Sequence, residues 1–438
     1  MTSGAVTVAV EQDAPAGLAG ADRLRILTYL SVLITLMGFG APFGGLIDVP
    51  ISFFLKNKLH LAAHEVATFR LVSSIPLYLS IVFGFLRDVW SPFGIRDRGY
   101  MILFGCISAA FYVGFAFTTA SYLMLMVAVF LLTVAFLFVG SAQAGLTSAI
   151  GQQHVMSGQI SAMWNVFQAV PILASFWAGG VLSDALEGQN ADRAARILFL
   201  VGAAIMLVIA LFGVWRPRVV FDNVHEPKGP RLHPIADLKR LGGHWPIYPA
   251  LTIYFMWSFA PGSTTPLQYY LQNTLHGNDA QWGDWNAIFT IAFIPTYMLF
   301  GYLCRRYPLR TLLFWGTVVG VPQYIPFFFM HTASQALFTA APIGLMGGVA
   351  TAAYTDLLIR SCPPGLQGTV LMISIGLYYI AGRFGDVLGT WLFDYFGSFT
   401  VCIVTITVTY ALILPTILLV PGELIATADG EVPGEKIV

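Results

Sequence analysis

Twelve runs of mostly apolar residues divide this chain, at 26–47, 65–86, 99–119, 122–146, 160–183, 196–215, 247–271, 285–303, 309–330, 335–359, 368–393 and 398–420. A helix that crosses a bilayer needs about 20 such residues. Inside lipid, every backbone N–H and C=O must also find its partner within the protein. These two facts predict an all-α membrane protein of twelve transmembrane helices. Only 10% of the 438 residues are charged, against about 25% in a soluble domain. With 22 basic and 22 acidic residues, the chain has no excess of positive charge to hold nucleic acid, and none is expected as a partner.

The longest polar connection runs over 216–246 and carries Pro217, Pro227, Gly229, Pro230, Pro234, Gly242 and Gly243. It predicts a cytoplasmic tail over 1–25, a six-helix bundle over 26–215, a linker over 216–246, a second six-helix bundle over 247–420 and a tail over 421–438. The first twenty residues hold Glu11 and Asp13 but no Lys or Arg, unlike the positive start of a secretory signal. The stretch after Pro421 is polar and is expected to be loose. Lys and Arg gather on one side, among them Arg23, Arg25, Arg87, Arg96, Arg98, Arg216, Arg218, Arg305, Arg306 and Arg360, against Lys56, Lys58, Arg193 and Arg196 on the other. The positive-inside rule then places both termini and the linker in the cytoplasm of a plasma (inner) membrane protein. The four cysteines, Cys106, Cys304, Cys362 and Cys402, are far apart and lack metal-ligand spacing. No metal or other cofactor is expected.

The halves look related. Gly84-Phe85-Leu86-Arg87-Asp88 follows span 2, and Gly301-Tyr302-Leu303-Cys304-Arg305-Arg306 follows span 8. At an offset of 210, Gly158, Gly179 and Asp184 fall on Gly368, Gly389 and Asp394, at the starts and ends of spans 5 and 11. Repeats of this kind place substrate near the bilayer midplane, between the halves. In the first copy, Gly84 lets a neighbouring helix approach. Asp88 can hold an arginine or face a helix N-terminus, and Arg96 is the expected cation. Gly84, Asp88 and Arg96 read as a cytoplasmic clamp.

The run from Pro50-Ile51-Ser52-Phe53-Phe54-Leu55-Lys56 through Ile75-Pro76 to Gly84–Asp88, Phe93-Gly94 and Arg96–Tyr100 resembles the major facilitator superfamily, and within it the folate-biopterin transporter family. Asp356 through Cys362-Pro363-Pro364-Gly365 and Gln367-Gly368-Thr369 is similar to that family's segment between spans 10 and 11. Where family members often carry Lys-Pro, this chain has Ser80-Ile81. The resemblance implies a major facilitator fold in two six-helix halves and transport by alternating access. Related permeases move muropeptides or acetyl-coenzyme A, so the fold alone leaves the substrate open.

Arg383 lies near the middle of span 11, with Asp386 three residues on, and Arg70 lies in span 2. Ionisable groups at such depth face the protein interior and are paired. In the implied fold spans 2 and 11 meet, so Arg70 and Asp386 are expected to pair as an outer gate. Arg383 is left to anchor an anionic substrate. Asp386 is the one carboxylate placed to carry a coupling proton, with uniport or anion exchange left open. Asp356 and Arg360 read as an i,i+4 pair at the water boundary. Gln168, Trp257, Gln268 and Tyr378 are the further candidates for a polar, aromatic substrate wall. The expected function is a secondary or facilitative transporter of a small organic anion, with folate- or pterin-like substrates among the candidates. Its partners are that solute, a coupling proton and the bilayer, and the unit is a monomer. An enzyme is not expected: the eight histidines lie in loops or at span ends, without metal-ligand pairs. A non-transporting sensor or scaffold is the remaining alternative.

Overall fold

The computed structural model describes residues 20–61, 63–221 and 234–431. The expected tail over 1–19, Lys228 and Arg231 of the linker, and Lys436 lie outside the described residues. Among those described the structure is helical, with no strand. The first half contains α1 (Gly20–Gly40), α2 (Asp48–Phe53), α3 (Ala63–Ser73), α4 (Ile75–Tyr78), α5 (Ser80–Val89), α6 (Asp97–Ala116), α7 (Tyr122–Gln153), α8 (Ser157–Glu187) and α9 (Ala191–Val214). Two short helices, α10 (Arg218–Phe221) and α11 (Pro234–Gly243), lie in the connection. The second half contains α12 (Ile247–Ser258), α13 (Thr265–Tyr269), α14 (Asp279–Leu303), α15 (Leu309–Gly320), α16 (Ala333–Ser361), α17 (Gln367–Phe396), α18 (Phe399–Ala411) and α19 (Ile413–Ile417), followed by α20 (Gly422–Ile425).

Among the described residues, ten segments are long and apolar enough to cross a bilayer as they stand. The second and seventh of the twelve runs are broken instead, for local reasons. In the second, the Ser73 hydroxyl donates back to the Phe69 carbonyl at 2.6 Å and the Ser74 hydroxyl to the Arg70 carbonyl at 2.6 Å. Such back-bonding bends a helix, and Pro76 then begins α4. In the seventh, α12 stops before Pro261 and Gly262, whose φ of 100° is left-handed backbone open to glycine.

The breaks reveal a repeat that the sequence reading missed. Each half opens with a long helix, α1 or α12, ended at an Ala-Pro pair (Ala41-Pro42, Ala260-Pro261). A glycine with positive φ follows, Gly44 or Gly262. Then come a short helix and a π-helical turn, Phe54–Lys58 after α2 and Tyr270–Thr274 after α13. The second break is docked on α17 through Gly385 and Gly389, where an added Cβ would press on the backbone of Ala260 and Gly262.

The halves pack along two seams. α5 lies against α17, and α8 lies against α14 and α16. One expectation fails here: the chain after Pro421 is not loose as far as Glu431. Ile425 and Ala428 are buried, the Asp429 N–H donates to the Cys304 carbonyl at 2.9 Å, and the Gly430 N–H donates to the Val155 carbonyl at 2.8 Å. The physical reason is Arg360, a largely buried guanidinium whose N–H groups donate to the Leu424 and Thr427 carbonyls at 3.3 and 3.0 Å. Polar composition alone did not reveal that a buried donor needed this segment.

Candidate functional site

The first seam is set by a glycine contact. A Cβ at Gly84 would lie 2.5 Å from the Gly368 carbonyl oxygen and 2.8 Å from the Met372 Cβ. Only two glycines let α5 and α17 approach this far. Just below, the fully buried Asp88 carboxylate accepts from the Thr369 N–H at 2.7 Å and the Thr369 hydroxyl at 2.6 Å. Thr369 is the third residue of α17, where unpaired N–H groups and the helix dipole favour an anion. Asp88 also receives Arg87 Nη1 at 2.7 Å, and the same guanidinium grips Asp97 with two bonds of 2.6 and 2.7 Å. The clamp expected from Gly84 and Asp88 is therefore assembled, but its cation is Arg87. Arg96 sits just before α6, with its backbone N–H held by the Ser91 hydroxyl at 2.9 Å. Adjacency of Arg87 to Asp88 was the signal available for the true partner. Nothing in the spacing pointed to Thr369.

Next along this seam, the Ser80 hydroxyl donates to the Met372 carbonyl at 2.6 Å, and a Cβ at Gly376 would lie 2.7 Å from Ser80 Oγ. Ser80 is fully buried, so this position is a close inter-half contact. Ser80→Lys is expected to wedge α5 from α17 and lower transport at least tenfold. Ser80→Ala, which loses one hydrogen bond of about 1 kcal/mol, is expected to lower it about fivefold or less. A transport assay in which Ser80→Lys matches wild type would refute this role.

The second seam repeats the first. A Cβ at Gly158, on α8, would lie 2.8 Å from the Cys304 Cβ, and one at Gly301 would lie 3.0 Å from the Ala162 Cβ. The Ser161 hydroxyl donates to the Ala352 carbonyl at 2.6 Å, and Asn165 reaches Thr355 at 3.4 Å. Between the seams, Gln152 of α7 donates to the Ile359 and Cys362 carbonyls at 2.8 and 2.7 Å and accepts from Gln367 at 3.0 Å. The Asp356–Arg360 pair forms, with Arg360 Nε 2.9 Å from Asp356 Oδ1. It is not at a water boundary: the Asp356 side chain is fully buried, and Arg360 also pairs with Asp429 at 3.2 Å.

At the opposite end Arg70 and Asp386 are not paired with each other in this conformation. Arg70 is paired with Asp48 of its own half and lies over the Phe43 ring at 5.7 Å. Asp386 accepts from the Thr264 hydroxyl at 2.5 Å, the Thr265 N–H at 3.0 Å and the Thr265 hydroxyl at 2.9 Å, all on the neighbouring break of span 7. Each of these charges has a partner inside its own bundle. Arg383 is exposed, and among the described residues no hydrogen bond or ion pair engages its side chain. It lies two turns beyond Gly376 on the face of α17 that meets Ser80.

The aromatic candidates separate. The half-buried Trp257 donates its indole N–H to Thr351 at 3.0 Å and stacks its ring on Tyr410 at 4.4 Å, both in the second half. Gln168 is exposed one turn beyond Asn165 and accepts from the Trp164 indole at 2.8 Å. Gln268 is half-buried on α13. Tyr378 is 53% exposed, within electrostatic reach of Tyr254 and Tyr297, two tyrosines that sequence reasoning passed over.

Twelve crossing segments in two halves, joined by glycine-mediated seams and helix-capping carboxylates at one end, define a membrane transporter of the major facilitator type. Solved structures share this fold. FucP, a major facilitator transporter in an outward conformation, matches with a TM-score of 0.69 and 13% identity over 91% of this chain and 99% of its own. The proton:xylose symporter XylE matches with a TM-score of 0.68 and 14% identity over 93% and 98%. The chain belongs to the BT1 family, whose model matches residues 43–330. It is 22% identical over 380 residues to a folate-biopterin transporter of Synechocystis, spanning 80% of this chain and 72% of that one. It is 19% identical over 355 residues to folate transporter 2 of Plasmodium falciparum, spanning 78% and 75%.

Proposed function

We propose that this chain carries a flat organic anion of the pterin or folate kind across the membrane by alternating access. The observation that carries the reading is Arg383, a cation without a partner among the described residues, placed where α17 leaves its close contact with α5. An unpaired guanidinium within a membrane span is costly, and a carboxylate on a ligand would satisfy it with up to two parallel hydrogen bonds. Tyr378 and Gln168 stand at comparable depth on α17 and α8 and supply a ring face and an amide for a flat heterocycle. Two relatives are named for folate or folate-biopterin transport, which agrees with an anion bearing such a ring.

The clamp end is the cytoplasmic end on this reading, because it collects the arginines. The conformation described here is then closed to the cytoplasm and open outward, with Arg70–Asp48 and Asp386–Thr265 as the two lips of an outer gate. Closure of that gate brings the lips together, and Arg70 then exchanges partners with Asp386. The transporter works as a monomer, one central site per chain. Proton coupling through Asp386 is not part of this proposal, since its carboxylate is already occupied as an acceptor.

Arg383→Gln tests the reading. A hydrogen bond to a charged group is worth about 1.5–3 kcal/mol, so affinity for folic acid should fall roughly 10- to 150-fold. The thermal midpoint of the ligand-free protein should not move. In a thermal-shift titration, folic acid or biopterin at 100 times its dissociation constant should stabilise wild type by about 2.7 kcal/mol. Equal folate affinity in wild type and variant would refute the anchor. Stabilisation by organic cations alone would refute the substrate class.

A further inference from the structure

The two seams are built alike, but the carboxylates that cap a helix across them come from unlike places. In the first, Asp88 in the last turn of α5 caps the start of α17. Aligning Gly84 with Gly301 puts Asp88 on Arg305, and aligning Gly368 with Gly158 puts Thr369 on Gln159. The second half therefore has a cation, which cannot accept a hydrogen bond, where the first half has its clamp carboxylate. The start of α8 is nevertheless capped. The Gly158 and Gln159 N–H groups donate to the two carboxylate oxygens of Asp429 at 3.0 and 2.9 Å, and the Gln159 side chain donates at 3.3 Å.

We infer that the segment Gly422 to Glu431 is a second lock between the halves, in which Asp429 replaces the carboxylate missing from the α14–α15 loop. The segment grips both sides of the seam. In the first half it holds Val155, Gly158 and Gln159; in the second it holds Cys304 and Arg360. The parallel extends to the ion cluster. Arg87 is shared by Asp88 and Asp97 on one seam, and Arg360 by Asp356 and Asp429 on the other. The lock matters only if the seam opens, so this inference rests on alternating access.

The second cluster has a property of its own. Asp356 Oδ2 is buried without a hydrogen-bond partner, and two carboxylates share one guanidinium. Burial, and then the neighbouring Asp356, push the Asp429 carboxyl up to about 6 from an ordinary 3.8. The charged groups facing it are Asp356 and Arg360 on α16 and Arg23 on α1, with the Cys304 thiol at the end of α14. A carboxyl whose pKa is higher when docked binds its proton more tightly when docked. Docking therefore strengthens as pH falls through 6 towards 3.8 and weakens as pH rises through 6.

The test uses the full-length chain in lipid nanodiscs with Cys106→Ser and spin labels at Phe93 and Tyr307, exposed positions in the clamp-end loops of the two halves. Distances are measured by pulsed electron resonance at pH 5 and 7. In wild type the short distance should dominate, more so at pH 5. Asp429→Ala, and a chain ending at Pro421, should each raise the long-distance population at least threefold. Asp429→Ala should also flatten the pH dependence, and Asp429→Glu should restore part of the short population. Gly84→Val, which opens the other seam, is the control. If Gly84→Val opens the clamp end and Asp429→Ala does not, the lock is overturned, whatever truncation does. If neither those variants nor folic acid changes the distance, alternating access itself fails. Should the truncated chain not fold, Asp429→Ala alone decides.

Discussion

Gly84→Val is expected to lower transport tenfold or more while leaving the protein folded. A Cβ at this position would lie 2.5 Å from a backbone carbonyl oxygen, that of Gly368, which cannot rotate aside. The two further methyl groups of valine meet Met372. Forcing extra atoms into a packed contact costs about 1–3 kcal/mol. Because α5 meets α17 across the seam between the halves, that cost falls on the closed-seam state alone. It translates to roughly a 5- to 150-fold loss of the closed population. The readouts are folate uptake into proteoliposomes and the thermal midpoint in detergent. Uptake should collapse while the midpoint moves by only a few degrees. Normal uptake by Gly84→Val would mean that the close approach is not needed in the cycle.

Arg87→Ala should have the opposite signature, a loss of stability as well as of transport. Arg87 is held within its own half by two bonds to Asp97 and lies against the backbone of Gly145 on α7. It is buried, and so are Asp88 and Asp97. Truncating it removes from both carboxylates the guanidinium they share. Breaking one partner of a buried ion pair costs about 3–5 kcal/mol, a large share of a marginal total. The thermal midpoint should fall well below that of Gly84→Val. Arg87→Leu combined with Asp97→Leu should recover part of the loss, since Asp88 keeps its two bonds from Thr369. An Arg87→Ala protein that melts with wild type would show that the cluster does not hold the fold together.

Much of the architecture was legible before any coordinate. The offsets that align Gly84 with Gly301 and Gly158 with Gly368 turn up as equivalent contacts of the two seams, so the internal repeat was a true structural signal. The clamp was legible in outline, from a glycine and a carboxylate one turn apart. Residue type and depth did not show the contacts made in this conformation: Asp48 for Arg70, Thr264 and Thr265 for Asp386, and Thr351 and Tyr410 for Trp257. Depth in a span says that a polar group needs a partner. It does not say which half will supply it.

The sequence by itself determined that this chain crosses the membrane twelve times in two related halves. Bilayer thickness sets the length of every apolar run, and lipid allows each run only the helix, so counting runs counts crossings. The tertiary structure alone decided which groups face each other across the seams. Asp88 meets Thr369 across 281 residues and Asp429 meets Gly158 across 271. Separations of that size leave no trace in local periodicity. They are settled only when glycine contacts bring the helix starts together and a buried carboxylate must find the N–H groups that helices leave unpaired.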